Sequence, residues 1–253
     1  MQKRNAEIKD KVKKQYAKIA LGGSSCCTPG ECCTTSSPND AAQSVGYDSK
    51  DLRSIPEDSI LGAGCGAPLN FADIKKGEIV VDLGSGAGID VFLSANKVGK
   101  DGKVIGIDMT DEMLQRAKKN ASGHGYTNVE FRKGDIEQEI PVDSDSVDLV
   151  VSNCVVNLTS SKGNAFQQVH RILKKGGRLV ISDLVSDREI AADLVDADKW
   201  CSCLDGALTK EHYLATIRRA GFRHVEVLQE RPYMNGDRVD GREITSLVIK
   251  AVK

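Results

Sequence analysis

The chain has almost no net charge with which to hold a polyanion. Lys and Arg total 35 against 36 Asp and Glu over 253 residues, so neither nucleic acid nor an anionic membrane surface finds a basic footprint, and a small partner is expected. Long apolar runs are also missing. The opening MQKRNAEIKDKVKKQYAKIA has no hydrophobic stretch or small-residue cleavage site, and no later segment reaches bilayer length, so neither signal peptide nor membrane span is expected and the protein reads as cytoplasmic. No internal repeat is evident. Histidine is scarce: His124, His170, His212 and His224 read as loop or helix residues away from the strand tips, a poor supply of catalytic bases. The length suffices for a substantial core without crosslinks, as one large domain or one domain with an appendage.

Cysteine is what the chain has in plenty, eight residues in all. In a reducing compartment these point to soft-ion binding or redox chemistry before structural disulfides. Half of them stand in GGSSCCTPGECCTTSS, residues 22–37, as Cys26, Cys27, Cys32 and Cys33. This segment is too poor in large apolar residues to form a packed unit and is expected to be mobile unless something binds it. Its four sulfurs can make a zinc knuckle, although the C-x-x-C spacing is absent, or can capture a thiophilic ion on a flexible arm. Ahead of it, residues 5–21 set Ile8, Val12, Tyr16 and Ile19 at helical spacing among Lys9, Lys11, Lys13, Lys14 and Lys18. That pattern predicts an amphipathic helix packed on its own domain; with one aromatic residue it is a weaker candidate for a membrane surface.

From Gly77 onward short β-branched runs end in Gly, Asp or Asn: EIVVDLG, GKVIGID, NVEFRKGD, SVDLVVSN and GRLVISD. Helical stretches at 90–98, 111–121 and 162–173 separate most of them; the third crossover, IEQEIPVDSD, is too polar and short for a full helix and stays open. Alternating strand and helix predicts an α/β fold, a Rossmann-like, doubly wound, mostly parallel sheet. KEHYLATIRRAGF then reads as a helix closed by Gly221, and RHVEVLQE and REITSLVIKAV as late strands, one of them antiparallel.

The first strand runs into DLGSGAGID, with Gly84, Gly86 and Gly88, and the second ends in Asp108. Lack of Cβ lets the backbone turn tightly and approach a ligand, and an acid at the next strand tip can accept from a ribose. Ile89 stands where a dinucleotide fingerprint needs its last glycine, so that fingerprint fails. The pattern that remains, with Asp82, Ser85, GDIE at 134–137 and Asn153 after the fourth strand, resembles the class I S-adenosylmethionine methyltransferases. The resemblance implies a cofactor site of Asp82, Gly84, Ser85, Gly86, Gly88, Asp108, Met109, Asp135, Ile136 and Asn153, with Asp135, Ile136 and Met109 near the adenine.

Three further cysteines lie in loops that can converge above the same strand edge: Cys65 in LGAGCGAPLN, Cys154 in SNCVVNL and Cys203 in WCSCLDGAL. Any one alone reads equally well as a small buried hydrophobe. From GYDSKDLRSIPEDSILGAGCGAPLN through SNCVVNLTSSK and LKKGGRLVISDLV to CLDGAL, the chain resembles the arsenite S-adenosylmethionine methyltransferases over most of 46–225. The resemblance implies that Cys65, Cys154 and Cys203 are arsenic-binding thiols, with Cys201 an extra cysteine able to exchange roles with Cys203. Trivalent arsenic prefers thiolate sulfur, and three thiolates fill its pyramid and leave a lone pair that attacks a sulfonium methyl in line, with no base needed. Holding both reactants in a near-attack arrangement can supply roughly 7 to 11 kcal/mol. Longer relatives carry a further carboxyl-terminal domain, which a chain of this length is expected to lack.

The expected organisation is an amino-terminal helix and cysteine arm (1–45), an S-adenosylmethionine-binding α/β core (46–190), and an arsenic-binding segment with the last strands (191–253). The expected activity is arsenite detoxification by methylation in a monomer. Beside the cofactor a thiol reductant, thioredoxin-like or glutathione-like, is expected, and neither nucleic acid nor membrane is. Accessory thiols Cys26, Cys27, Cys32 and Cys33 are expected to collect arsenite and pass it inward, or to exchange disulfides with the site. Two other readings stay open: methylation of an organic small molecule such as a quinone or sterol precursor, and a thiol-based metalloid sensor with a purely structural cofactor. Tyr47 and Asn157 can border the pocket or simply pack; Trp200 can wall it.

Overall fold

Strand alternation divides the hydrophobic core into two layers. In β1 (Ile79–Leu83) and β2 (Lys103–Asp108), Val80 and Val104 join one buried cluster while Val81, Leu83, Ile105 and Ile107 join another, because successive side chains leave opposite faces of a strand. The first layer packs against α4 (Ile89–Val98) and α5 (Asp111–Gly123), through Val91, Phe92, Leu114 and Ala117. The second packs against α6 (Lys162–Ile172) and α8 (Lys210–Arg219), through Phe166, Val169, Tyr213 and Ile217. The computed structural model describes residues 2–22, 37–191, 194–233 and 236–253; the four arm cysteines Cys26, Cys27, Cys32 and Cys33 lie outside the described residues, and so does the mobility expected there.

With β3 (Val129–Lys133), β4 (Val147–Asn153), β5 (Leu173–Ser186), β6 (Arg223–Pro232) and β7 (Ile244–Val252), the sheet has the order β3-β2-β1-β4-β5-β7-β6. β3, β2, β1, β4 and β5 pair in parallel, and β7 runs antiparallel between β5 and β6. This is the expected doubly wound sheet with one late antiparallel strand. Strand order reverses between β1 and β4, which places the ligand crevice at their carboxyl ends. The crossover left open, 134–146, holds no helix; Arg171 donates to the carbonyls of Ile140 and Val142, and Arg132 to that of Pro141, so the loop's buried acceptors are satisfied without one. His224, expected in a loop or helix, is the second residue of β6, with φ 48°.

The amino-terminal helix, α1 (Gln2–Ala20), precedes the short α2 (Pro38–Ser44) and α3 (Ser49–Leu52) and lies against α5 and the short α7 (Ala197–Cys201). Ile8 and Val12 pack with Cys201, and Ile19 and Ala20 with Met113. Each large apolar side chain so buried contributes about 1.5 to 3 kcal/mol before entropy, which is what docks an otherwise lysine-rich helix. Among the described residues no helix is long and apolar enough to cross a membrane.

Candidate active site

The crevice is a cavity of ≈ 490 Å³, within the range usual for small-ligand sites. At one end stand Asp82, Gly84, Ser85, Gly86, Asp108, Met109, Asp135 and Ile136; at the other stand Asn153, Cys154 and Cys203. Gly88 lies outside the lining and caps α4 with φ 104°. The turn after β1 depends on Gly84, whose φ is 63° and whose missing Cβ would lie 2.5 Å from a methyl of Val155; any side chain there would push the β1 and β4 tips apart. Asp108 accepts from the amide of Gly86 at 3.0 Å with one oxygen and from that of Thr110 at 2.8 Å with the other, so its carboxylate is fixed beside the glycine turn.

Buried acid accumulates beneath the glycine turn. Tyr47 donates its hydroxyl to Asp90 at 2.8 Å. Burial lifts Asp90 to about 6 against that bond. Burial, with Asp90 and Asp108 nearby, holds the Asp82 carboxyl well above its usual range, as expected where like charges share a dry site. No hydrogen bond or ion pair among the described residues reaches Asp82. Across the cavity Lys9 of α1 donates to Asp135 at 2.7 Å and pairs with Glu137. Burial opposes the Lys9 ammonium, but the two carboxylates leave its pKa raised. Sequence reasoning found α1 but not this contact, for periodicity says which face of a helix is buried and not against what.

The thiols gather at the other end. Cys65, in the loop before the sheet, has its amide donated to Asn153 Oδ1 at 3.1 Å, while Asn153 Nδ2 donates to Tyr47 Oη at 2.9 Å and to the Gly66 carbonyl at 2.6 Å. One side chain at the β4 tip thus ties the acidic and thiol ends together. A Cβ at Gly66 would collide with Ser182 on β5, so only glycine brings the Cys65 loop this close to the sheet. Cys154, the next residue after β4, has φ 58°, and Cys203, just after α7, has φ 67°, left-handed values that cost a residue with a Cβ about 1 to 3 kcal/mol and persist where the surroundings impose them. Cys203 Sγ donates to the Cys154 carbonyl at 3.1 Å. Hydrogen bonding with Cys203 and Cys65, and burial, raise the Cys154 thiol well above its ordinary pKa. The sequence-selected trio is thus one cluster, although Cys65 stands behind the cavity wall. Cys201 is buried elsewhere, with Ile8 and Val12 of α1.

Asp183 is the residue sequence reasoning missed. Its carboxylate and the sulfurs of Cys65 and Cys154 all lie within 4.8 Å of one another. It is buried in β5, accepting from Tyr213 Oη at 2.9 Å and from the amides of Asn157 and Leu184, both at 3.0 Å; burial raises it to about 6 against these bonds. Asn157 is therefore a support of this acid. Lys162, buried with its ammonium drawn to Asp183 and Cys203, is depressed by burial to about 8. Trp200 does not line the main cavity; it walls a second one of ≈ 590 Å³ and donates to the Leu158 carbonyl at 3.0 Å. Acids facing one end of a cavity and clustered thiols the other can hold a cationic ligand against a soft one.

A family model described as methyltransferase domain matches residues 74–221, more than half of the chain, and the sheet is the one such proteins share. The chain belongs to the methyltransferase-domain family. Its likeness within that family is to arsenite methyltransferases. It is 42% identical over 230 residues to one from Halobacterium salinarum and 33% identical over 233 residues to the human protein; each match takes in 87% of this chain and 59% of the relative, so the chain spans about three-fifths of their length. Among solved structures, an arsenic(III) S-adenosylmethionine methyltransferase from Chlamydomonas reinhardtii superimposes with a TM-score of 0.66 at 27% identity, covering 87% of this chain and 75% of that one. A phosphoethanolamine N-methyltransferase from Haemonchus contortus, at 16% identity and a TM-score of 0.61, shares the fold alone. The resemblance read from the cysteine motifs and the fold class read from the strand pattern are both borne out.

Proposed function

We propose that the protein transfers a methyl group from S-adenosylmethionine to thiolate-bound trivalent arsenic, giving methylated arsenicals and S-adenosylhomocysteine. The observation that carries this reading is Cys154, a cysteine in left-handed backbone at the β4 tip, whose sulfur lies within 4.8 Å of that of Cys65, whose carbonyl accepts from the Cys203 thiol, and which lines the same cavity as the glycine turn.

The acidic end fits S-adenosylmethionine. Asp82 and Asp90 are buried with no ion pair among the described residues, a deficit that the ammonium of the cofactor's amino acid tail fills. Asp108 offers a fixed carboxylate to ribose hydroxyls, and Met109, Asp135 and Ile136 border room for a base. When bound, the cofactor supplies an electrophilic methyl carbon that an arsenic lone pair can take, with S-adenosylhomocysteine as the leaving group. The chain's own part is placement. Three thiols displace three hydroxyls of arsenous acid as three waters, leaving arsenic bound to Cys65, Cys154 and Cys203 with its lone pair free. Asn153 fixes the Cys65 loop, and the buried Lys162 ammonium offsets thiolate charge. In this reading residues 1–45 supply the amino-terminal helix and the cysteine arm, 46–190 hold the cofactor, and 191–253 complete the thiol site and the sheet. The protein acts as a cytoplasmic monomer in arsenite detoxification, with a thioredoxin-like or glutathione-like reductant keeping the thiols reduced.

The test is to incubate the protein with S-adenosylmethionine, a thiol reductant and arsenite, and to speciate the arsenic. Cys154→Ser should lower methylation by roughly 1,000-fold or more, because it removes the arrangement that holds arsenic beside the methyl donor, and should leave cofactor affinity by calorimetry unchanged. Methylation at the wild-type rate in that variant would sink the proposal; arsenite binding without turnover in the wild type would favour a sensor.

A further inference from the structure

The thiol cluster contains two overlapping donor sets, and they suit different ions. Cys65, Cys154 and Cys203 are three sulfurs. Cys65, Cys154 and Asp183 are two sulfurs and an oxygen, mutually within 4.8 Å. Donors at about 2.0 to 2.3 Å from a tetrahedral zinc stand about 3.3 to 3.8 Å apart, so this set closes on such an ion with shifts of about 1 Å. We infer that Cys65, Cys154 and Asp183 form a zinc site that competes with the soft substrate for two of its thiols.

Asp183 is built as a ligand. Tyr213 and the Asn157 amide fix one oxygen and the Leu184 amide the other, which sets the carboxylate plane and leaves the second oxygen a free lone pair, the outer-shell support that ligating carboxylates require. Ser182 Oγ lies 3.7 Å from Cys65 Sγ and can donate to its thiolate. Zinc accepts mixed sulfur and oxygen donors, whereas trivalent arsenic prefers sulfur, so the carboxylate separates the two ions. Binding releases two thiol protons to solvent, and water from the cavity takes the fourth position, since Cys203 is outside the mutually close set and donates to the Cys154 carbonyl. Zinc binding stands on these contacts alone; its consequence, inhibition of arsenite methylation, rests on the function proposed above.

The experiment uses the reduced full chain with Cys26, Cys27, Cys32 and Cys33 changed to serine, so that arm thiols add no signal. Zinc is titrated against a chromophoric chelator. One equivalent should bind; Cys65→Ser and Cys154→Ser should abolish it, Asp183→Asn should weaken it by about 10- to 100-fold, and Cys203→Ser should leave it within about 3-fold. Arsenite affinity should respond the opposite way, falling in Cys203→Ser and holding in Asp183→Asn. Because Asp183→Asn also disturbs a buried hydrogen-bond set, cadmium NMR on the protein with Asp183 intact reads the donors directly. A resonance of two sulfurs with oxygen supports the site; one of three sulfurs, absence of stoichiometric zinc, or parental affinity in Asp183→Asn overturns it. If methylation proceeds but zinc does not bind, this inference falls and the function stands. If zinc binds as stated but arsenite is never methylated, the reverse holds.

Discussion

The two ends of the cavity meet the same backbone demand with different residues. Beneath the cofactor end, Gly84, Gly86 and Gly88 take φ values of 63°, 52° and 104°, conformations that cost glycine little. At the thiol end, Cys154 and Cys203 adopt 58° and 67°, the same region, with a Cβ that makes it expensive. Asp and His are the usual non-glycine visitors there, and among the described residues they account for the other four non-glycine positive-φ positions, Asp73, Asp145, His224 and Asp240. The difference teaches that the cofactor end needs backbone shape, which glycine supplies, while the thiol end needs sulfur at the turn itself and accepts strain to have it.

The sharpest break of that comparison after loss of Cys154 is Asp108→Asn. The amide cannot accept from both Gly86 and Thr110 without aiming its NH₂ at one backbone donor, and the charged acceptor proposed for the ribose is gone. Hydrogen bonds to charged groups are worth about 1.5 to 3 kcal/mol, so cofactor affinity by calorimetry should fall about 10- to 100-fold while arsenite binding by the thiols stays. Equal loss of both would mean that the ends are one mechanical unit.

What the sequence made legible follows the same division. Glycine triad, strand tips and alternating faces are local patterns, and β1 to β5, α4 to α6 and the gathering of Asp82, Gly84, Gly86 and Asp108 along one cavity were readable from them. Three cysteine motifs were readable too, but not Asp183, whose ISD reads as an ordinary strand end. Its role depends on Tyr213, Asn157 and Cys65 arriving from distant parts of the chain. Lys9 likewise reaches Asp135 across 126 residues, a pairing that no periodicity encodes. The crossover at 134–146 stayed open because arginines from β3 and α6, and not a helix, satisfy its carbonyls.

A smaller effect separates the ends by pH. Burial raises Asp90 from 3.8 to about 6, so the ligand-free fold holds its proton more tightly than the unfolded chain does, and this group's contribution to stability is full below about pH 4 and is lost as pH rises through about 6. A cationic ligand reverses the preference, since it binds the ionised carboxylate and must displace that proton below pH 6. Cofactor affinity should therefore drop by about 10-fold for a unit fall in pH below 6. Asp90→Asn should flatten the profile measured by calorimetry across this range. A wild-type profile already flat between pH 5 and 7 would mean that no cation is recognised beneath the glycine turn.

The finest test addresses the strain directly. Replacing an ordinary residue by glycine costs about 0.5 to 1 kcal/mol more than replacing it by alanine, because glycine loses more freedom on folding. At φ 58° the order should invert, since alanine keeps the Cβ that opposes left-handed backbone and glycine removes it. Cys154→Gly should thus unfold at higher denaturant than Cys154→Ala, by about 1 kcal/mol, and Cys203 at 67° should behave alike. Both substitutions at a position delete the same sulfur, so the difference between them isolates the backbone. If alanine proves the more stable at both positions, the two turns carry no strain, and the contrast between a glycine end and a cysteine end is one of composition alone.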